Sequence, residues 1–533
     1  MDIDCMPFSE TGYFSALIRD YLGEKESLRP FYHYFPKLKD FKNQMEEKSL
    51  NFSQEYRDNL YHALQGQYQG FEMGPSTLTN IKQLKEPITF TVTTGHQLNL
   101  FTGPLYFLYK IISTINLTRE LKKAYPKYNF VPIYWMATED HDFEEIRFFN
   151  FKGKKLQWNR EASGAVGDLD TEGLARILEA FSHELGEGSH AEKLKTLFLD
   201  TYVHHDNLAA ATRYLANALF GDYGLVILDG DDKTLKRQLI PLVKKDLFEG
   251  VGFNQVSHTV SQLKSLKEKY KIQVNPREIN YFYLADGVRE RIVEKEGRFY
   301  VKDTDLEFSK EELTKELHTY PERFSPNVIA RPLYQEMILP NLCYIGGGGE
   351  IAYWLQLKAM FQTFGIPFPI LLLRNSALVI TEKQHKKLQK LHLSPKDLFL
   401  AQNDLINKKI REISNIDIDF SPQRKHLEQQ FTTLYELAEL TDKSFLGAVK
   451  AQEAKQKNGL DKLEKRLLKA QKMKLADHVS RMTEIQNQLF PNAGLQERSL
   501  NFSELYLELG DALIPRLMQA LKPLRQEFMI LTL

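Results

Sequence analysis

Cysteine is nearly absent. Two residues in 533, Cys5 and Cys343, cannot build a disulfide framework or a four-thiolate zinc centre. Cys343 lies in an apolar run and reads as a buried thiol. Such sparse usage fits a reducing, cytoplasmic setting. Net charge is absent as well: Lys+Arg and Asp+Glu both total 70. No global basic field therefore recruits nucleic acid, although a local basic pocket for an anion stays open. Long hydrophobic runs are missing. Even Pro367 to Leu373 is far too short to span a bilayer, and Met1 to Glu10 carries acids in place of an apolar signal core. Neither nucleic acid nor membrane is expected as a partner. No repeat is evident, and the one low-complexity tract is Gly346 to Gly349.

A chain of this length holds two or three structural units. Residues 1–85 read as helical, with apolar residues at helical spacing over Tyr13 to Leu22, Leu38 to Lys48 and Gln54 to Gln69. Five short apolar runs then follow, each ending in a polar or glycine cluster. Ile88–Thr94 runs into Gly95-His96-Gln97, and Phe130–Met136 into Thr138 to Asp142. Leu225–Leu228 runs into Asp229 to Asp232, Asn341–Ile345 into Gly346 to Glu350, and Pro369–Leu373 into Arg374-Asn375-Ser376. Helical segments follow most of them: Leu105 to Lys123, Lys233 to Phe248 and Ile351 to Phe364. Strand, polar loop and helix in repetition define an α/β core with a parallel sheet covered on both faces. The loops after such strands build the ligand crevice, and the unusual residues fall in those loops. The core is placed at 86–380, with insertions at about 144–220 and 250–325. The second insertion contains a β meander that turns at Ala285-Asp286-Gly287.

From Ser421 to Leu489 the texture becomes that of a coiled coil. One apolar series steps by three and four from Leu446 to Ala470. Another steps by seven through Leu468, Leu475, Met482 and Leu489. The change of register places a stutter near Ala470 in a helix of about 45 residues, with a helix over Pro422 to Leu440 available to pack antiparallel to it. The helical domain is placed at 381–490. It reads as an arm that dimerises, with a helical hairpin inside one chain as the alternative. Residues 491–533 follow the stop at Pro491 to Gly494 and carry a helix over Leu505 to Leu521 that returns to the core.

Three loop clusters could carry chemistry. Gly95, His96, Gln97, Thr102 and Gly103 join a strand to a helix, where glycines let backbone amides approach an anion. The loop is neither a Walker loop nor a dinucleotide fingerprint. Glu139, Asp140, His141 and Asp142 crowd ionisable groups at one strand end, where they can hold an ammonium group or position a base. No second His or Cys cluster completes a metal shell, so no structural metal is expected. The third cluster runs from Asn327 through Arg331 and Gln335 to Gly346, Gly347, Gly348, Gly349, Glu350 and Tyr353. In it Arg331 can clamp a carboxylate. Asn275 and Arg277 add polar groups between apolar neighbours. The paired histidines His204-His205 read as structural or exposed.

The stretches TTGHQLNLFTGPLYFLYK, IYWMATEDHDFEEI, SPNVIARPLYQEMILPNLCYIGGGGEIAYWLQLK and PNAGLQER resemble, in order and over nearly the whole chain, the cysteine ligase BshC family of bacillithiol biosynthesis. The resemblance implies a Rossmann-like core with two connecting insertions, a C-terminal α-helical coiled coil and a homodimer. It also implies the last pathway step, an amide bond between cysteine and glucosaminyl-malate. Two positions depart from the family's pattern: His96 stands where a second Gln-like residue is expected, and Gly348 where proline is common. The core is also similar to class I aminoacyl-tRNA synthetases, without their paired nucleotide signatures.

On this reading Asp140, His141 and Asp142 hold or deprotonate the sugar amine. Arg331 takes a malate carboxylate, the Gly95–Gly103 loop takes phosphate or carboxylate, and Gly346 to Glu350 pack against nucleotide or sugar. ATP with magnesium is the cofactor that carboxyl activation would call for. Two alternatives are a nucleotidyltransferase or synthetase acting on another amino acid or amine, and a coiled-coil scaffold with no ligand in the crevice.

Overall fold

The computed structural model describes residues 2–533. The chain forms two compact units: residues 379–494 with the last two residues, and the remainder, 2–378 with 495–531.

The larger unit is built on a parallel sheet of five strands. We number them β1 (Thr89–His96), β2 (Asn129–Met136), β3 (Val226–Asp229), β4 (Asn341–Gly346) and β5 (Ile370–Leu373). Each coincides with one of the five apolar runs. Every residue of β1, β4 and β5 is buried, so both faces of the sheet centre are covered, as near-continuous apolar strands require. Phe90, Val92, Leu342, Ile345, Ile370 and Leu372 pack there with Phe41 and Met45 of the helix Leu38–Asn51 and with Leu117 and Leu121 of the helix Tyr106–Ala124. Each such side chain contributes roughly 1.5–3 kcal/mol when fully buried. Cys343 lies in the same cluster.

The strand order is β5-β4-β1-β2-β3. The chain proceeds outward from β1 to β3, then returns to the other side of β1 for β4 and β5. That reversal, between β1 and β4, is where an open α/β sheet leaves a crevice beyond its strand ends. Two insertions lie outside the sheet. The first opens with a hairpin, Phe148–Phe151 and Lys154–Gln157, and continues as the helices Leu174–Leu185, Ser189–Tyr202 and Leu208–Phe220. The second contains an antiparallel sheet of five strands. Its Tyr281–Ala285 and Val288–Lys295 are joined through Asp286-Gly287, with Gly287 at φ 65°, as an Asp-Gly hairpin turn demands.

The smaller unit contains a helical hairpin. Ser421–Glu439 and Lys443–Lys474 lie antiparallel, joined by Tyr435 to Glu453, Lys457 to Glu428, and Arg424 to Asp461 and Glu464. The single long helix expected from the leucine spacing is instead two: the chain leaves helical geometry at Leu475 (φ −105°, ψ 32°) and resumes as Ala476–Leu489. The register change near Ala470 marks that interruption. Likewise the helix expected over Leu505 to Leu521 is divided at Gly510, φ 55°, into Phe502–Leu509 and Leu513–Ala520.

Candidate functional site

The C-terminal ends of the strands open into a cleft of about 830 Å³, lined by residues of β1, β2 and β4, the second insertion and the segment after Leu495.

At the end of β1, Gly95, His96 and Gln97 line the cleft. A side chain at Gly95 would come within 3.4 Å of the Tyr344 hydroxyl. His96 is buried, and its Nε2 has no partner. Burial first, then the charges of Lys110 and Arg374, push its imidazole well below the ordinary histidine value, against a hydrogen bond with the Thr102 backbone. The charged form of His96 is thus disfavoured. Gln97 Nε2 donates to Asp140 Oδ2 and to Glu145 Oε2, each at 3.0 Å.

The rest of that loop faces inward. Phe101 N–H donates to the Tyr202 hydroxyl and Gly103 N–H to the Leu100 carbonyl, while Asn501 Nδ2 donates to the carbonyls of Phe101 and Gly103. Phe101, Thr102 and Gly103 all have positive φ. Thr102 and Gly103, expected as ligand contacts, thus stand outside the cleft lining and shape the turn. The Phe101 and Gly103 amides are spent within the fold and do not cradle an anion.

At the end of β2, Glu139, Asp140 and His141 line the cleft. Glu139 pairs at 2.6 Å with Lys236, a fully buried lysine that also holds Asp231 at 2.6 Å. Burial raises the Glu139 carboxyl above its ordinary value, with Lys236 opposing. Asp140 differs. Burial pushes it up, but the Gln97 hydrogen bond, Arg289 and the His141 amide outweigh this and hold it below the usual carboxylate range. Arg289 Nη1 contacts His141 Nδ1 and lies 3.9 Å from Asp140 Oδ1. A guanidinium only donates, so His141 Nδ1 accepts. Asp142, expected among the catalytic groups, is exposed and outside the lining; its carboxylate accepts from Glu145 N–H and caps the short helix Phe143–Ile146. A helix start needs such an acceptor.

At β4 the glycines have separate duties. Gly347, Gly348 and Gly349 line the cleft, whereas Gly346 does not; a side chain at Gly346 would meet Glu350 Cβ at 2.9 Å. Glu350 Oε2 accepts from Gly347 N–H at 2.8 Å and from Lys110 Nζ at 2.7 Å, and Oε1 accepts from the Tyr344 hydroxyl at 2.6 Å. Arg331 lies over Trp135 and Tyr344. Its Nη1 donates to Gln335 Oε1 at 2.9 Å and its buried Nη2 has no partner. Among the described residues it makes no ion pair. Gln335, expected to touch ligand, is fully buried behind Arg331 and serves it as acceptor. Tyr353 lines the cleft beside it, and Asn275, Arg277 and Asn327 complete the lining from the second insertion and the turn that follows it.

Several lining residues were not among the expected ligand contacts, although Arg374 stood in one of the strand-end clusters. Lys110 sits on a helix buried almost all round, where a lysine is itself a signal. Arg374 follows β5; its Nη2 donates to Glu497 Oε1 at 2.7 Å and its buried Nε is unpartnered. Arg289 comes from the meander and Arg498 from the returning segment. The pair His204-His205 stands elsewhere, with His205 Nδ1 against the carbonyls of Asp200 and Thr201.

Two profiles cover the chain. One, described as "Bacillithiol biosynthesis BshC, N-terminal Rossmann-like domain", matches residues 1–375, and another, described as "Bacillithiol biosynthesis BshC, C-terminal coiled-coil domain", matches residues 377–533. The chain belongs to the BshC family. A BshC from Flavobacterium johnsoniae is 57% identical over 533 residues, covering all of both chains. One from Christiangramia forsetii is 56% identical, covering 100% of this chain and 99% of that one. One from Cytophaga hutchinsonii is 37% identical over 98% and 97%. All three relatives carry the name "Putative cysteine ligase BshC". The part matched by the Rossmann-like profile supplies all the cleft lining named above except Arg498, which lies in the part matched by the coiled-coil profile together with the helical hairpin.

The fit of a nucleotide to this BshC cleft can be judged from its donors. The Gly347 amide is occupied by Glu350, so the glycine run does not offer it. Arg374 Nε, unpartnered and buried, and Arg498 at the rim fit a polyphosphate.

Proposed function

We propose that the crevice joins cysteine to glucosaminyl-malate through an amide bond, the last step in making bacillithiol. One observation carries this reading. The cleft presents a buried guanidinium without an ion pair, Arg331, and two carboxylates of unlike character, Glu139 and Asp140. A buried unpaired charge is costly until a ligand supplies its partner. Glucosaminyl-malate carries both complements, carboxylates for Arg331 and an amine for the acidic wall.

The two carboxylates divide the labour. Asp140, held below the usual carboxylate range, stays charged and anchors the ammonium form. Glu139, raised by burial, is the better proton acceptor. The ammonium first gives one proton to Glu139; the freed amine lone pair then attacks the activated cysteine carboxyl carbon, the C–N bond forms, the C–O bond to the leaving group breaks with its electron pair, and the departing group takes the second proton shed by the nitrogen. His141, accepting from Arg289 at Nδ1, keeps a proton at Nε2 and serves as a donor to substrate oxygen. ATP with magnesium, when bound, would supply the leaving group; Arg374 and Arg498 would hold its phosphates.

The test is turnover. Purified protein, cysteine, glucosaminyl-malate and ATP-Mg are mixed and bacillithiol is sought by mass spectrometry, with ATP omitted in parallel. Product supports the reading, and its absence with folded protein refutes it.

We also propose a homodimer formed through the helical hairpin. Leu437 (51% exposed), Leu440 (84%) and Leu463 (54%) are apolar side chains left in solvent along it. Leu437→Glu/Leu463→Glu should convert a sedimenting dimer to monomer; an unchanged mass would remove this interface. Cys343 is a buried thiol outside any disulfide, and a thiol substrate suits a reducing cytoplasm. Among the described residues no helix is long and apolar enough to cross a membrane.

A further inference from the structure

Arg331 reaches the cleft from the helix Ala330–Ile338, and the groups behind it form a buried chain. Arg331 Nη1 donates to Gln335 Oε1 at 2.9 Å, one helical turn on. Gln335 Nε2 donates to Glu336 Oε1 at 2.9 Å. The same Glu336 oxygen accepts from Asn341 Nδ2 at 2.6 Å, and Lys48 Nζ lies 3.4 Å from Glu336 Oε2 and 2.8 Å from the Glu336 carbonyl. Asn341 Oδ1 in turn accepts from Thr91 and Thr93 of β1. Gln335, Glu336, Asn341 and Lys48 are all buried, at 0 to 1% exposure.

The polarity of this chain has a consequence. A glutamine amide can point either way, with oxygen or nitrogen toward a neighbour. An ionised carboxylate only accepts, so Glu336 draws the Gln335 nitrogen to itself and turns the oxygen toward Arg331. With the amide reversed, two donors would face each other at Arg331 and the guanidinium would be pushed from its place over Trp135 and Tyr344. We propose that Glu336 is a positioning residue: through Gln335 it fixes the Arg331 guanidinium with Nη2 presented to an anionic group of the substrate. Lys48, from the helix Leu38–Asn51, favours the charged form of Glu336. Burial still leaves the carboxyl above and the amine below their ordinary values, with the pair opposing both shifts; the acceptor role of Glu336 Oε1 rests on the two amide donors, Gln335 and Asn341, that converge on it.

This inference rests on the reading that Arg331 holds an anion, so the test separates the two. Binding of L-malate and, in parallel, of inorganic phosphate is measured by calorimetry on the full chain, with melting temperature recorded for each variant. Arg331→Met is the control for the reading. If it leaves both affinities unchanged, the reading fails whatever Glu336 does. Given a loss with Arg331→Met, Glu336→Gln should weaken the preferred anion roughly ten-fold, because a neutral amide in place of the Glu336 carboxylate no longer dictates which way the Gln335 amide points. Gln335→Met removes the same link without adding a charge beside Arg331, and the double variant Gln335→Met/Glu336→Gln should bind no more weakly than Gln335→Met alone. A merely structural Glu336 would leave anion affinity unmoved in the folded single variant, or add its loss to that of Gln335→Met. Either result overturns the proposal. If Glu336→Gln does not fold, Gln335→Met tests the same link, and parental anion affinity in it overturns the proposal equally.

Discussion

Lys110 Nζ lies 2.7 Å from Glu350 Oε2, a largely buried pair that ties the helix after β1 to the helix after β4 across the point where the sheet order reverses. The pair closes the floor of the cleft. Its glutamate is further held by Tyr344 and the Gly347 amide, which with Lys110 outweigh burial and keep the carboxyl below its ordinary value.

Removing one member should cost more than removing both. Lys110→Met leaves the Glu350 carboxylate buried beside Gly347 without its cation, and we expect a loss of about 3 kcal/mol in denaturant unfolding. The double variant Lys110→Met/Glu350→Gln should lose less. The sign of the pH effect follows from the depressed Glu350 value. Its stabilisation is present in full above the unfolded-state value and is lost as pH falls through the folded-state value. Glu350→Gln should therefore flatten the acid limb of the stability curve.

Asp246 carries the opposite sign. Burial pushes its carboxyl up to about 6, against one hydrogen bond from Gly252 N–H. A raised acid contributes stability fully at low pH, and this is lost as pH rises between the unfolded value near 4 and about 6. Asp246→Asn keeps an oxygen for Gly252 without the charge. We expect it to stabilise the protein by about 1–3 kcal/mol at pH 8 and to change little at pH 4, measured by denaturant unfolding at both pH values.

Arg331→Lys tests geometry separately from charge. An ammonium keeps the positive charge but cannot donate to Gln335 and to a carboxylate in the same fork. We expect KM for the carboxylate-bearing substrate to rise by roughly ten-fold or more with kcat less affected. Steady-state kinetics in both substrates would show it.

Gly103 sits at φ 62°, and a Cβ there would come within 2.6 Å of Asn99 Cβ. Gly103→Ala should cost about 1–3 kcal/mol of stability. Because the turn carries the chain that begins at His96 and Gln97, activity should fall more than in a surface Gly→Ala change such as Gly66→Ala, which meets open space. Paired thermal and turnover measurements distinguish the two.

What could be read in the sequence follows from which forces are local. The five strands were legible because a strand covered on both faces must be apolar throughout, and the polar clusters after them stood out against that background. The loops after β1, β2 and β4 do meet in one cleft, as strand-end loops must when the order reverses between β1 and β4. Side-chain direction was less legible. Asp142 and Asp140 look alike in sequence, yet one caps a helix and the other faces the cleft. Thr102 and Gly103 are of the residue types that loops use to hold anions, but here the glycine answers a backbone need. Arg289 lies in a strand of a distant insertion, and only tertiary folding brings it to His141. Glu497 likewise meets Arg374 across 123 residues of chain, beyond any spacing rule. The interruption at Leu475 left a trace in the shifted leucine register, but a register change alone does not say whether a helix bends or breaks.

The proposed reaction needs one crevice with an anion-seeking wall and an ammonium-seeking wall. The measurement that reaches it most directly is a crystal structure of the protein with glucosaminyl-malate bound. We expect a malyl carboxylate against Arg331 Nη2 and the sugar amine within hydrogen-bond reach of Asp140 or Glu139. A ligand seated outside the cleft, or one whose amine points toward Arg331, would contradict it.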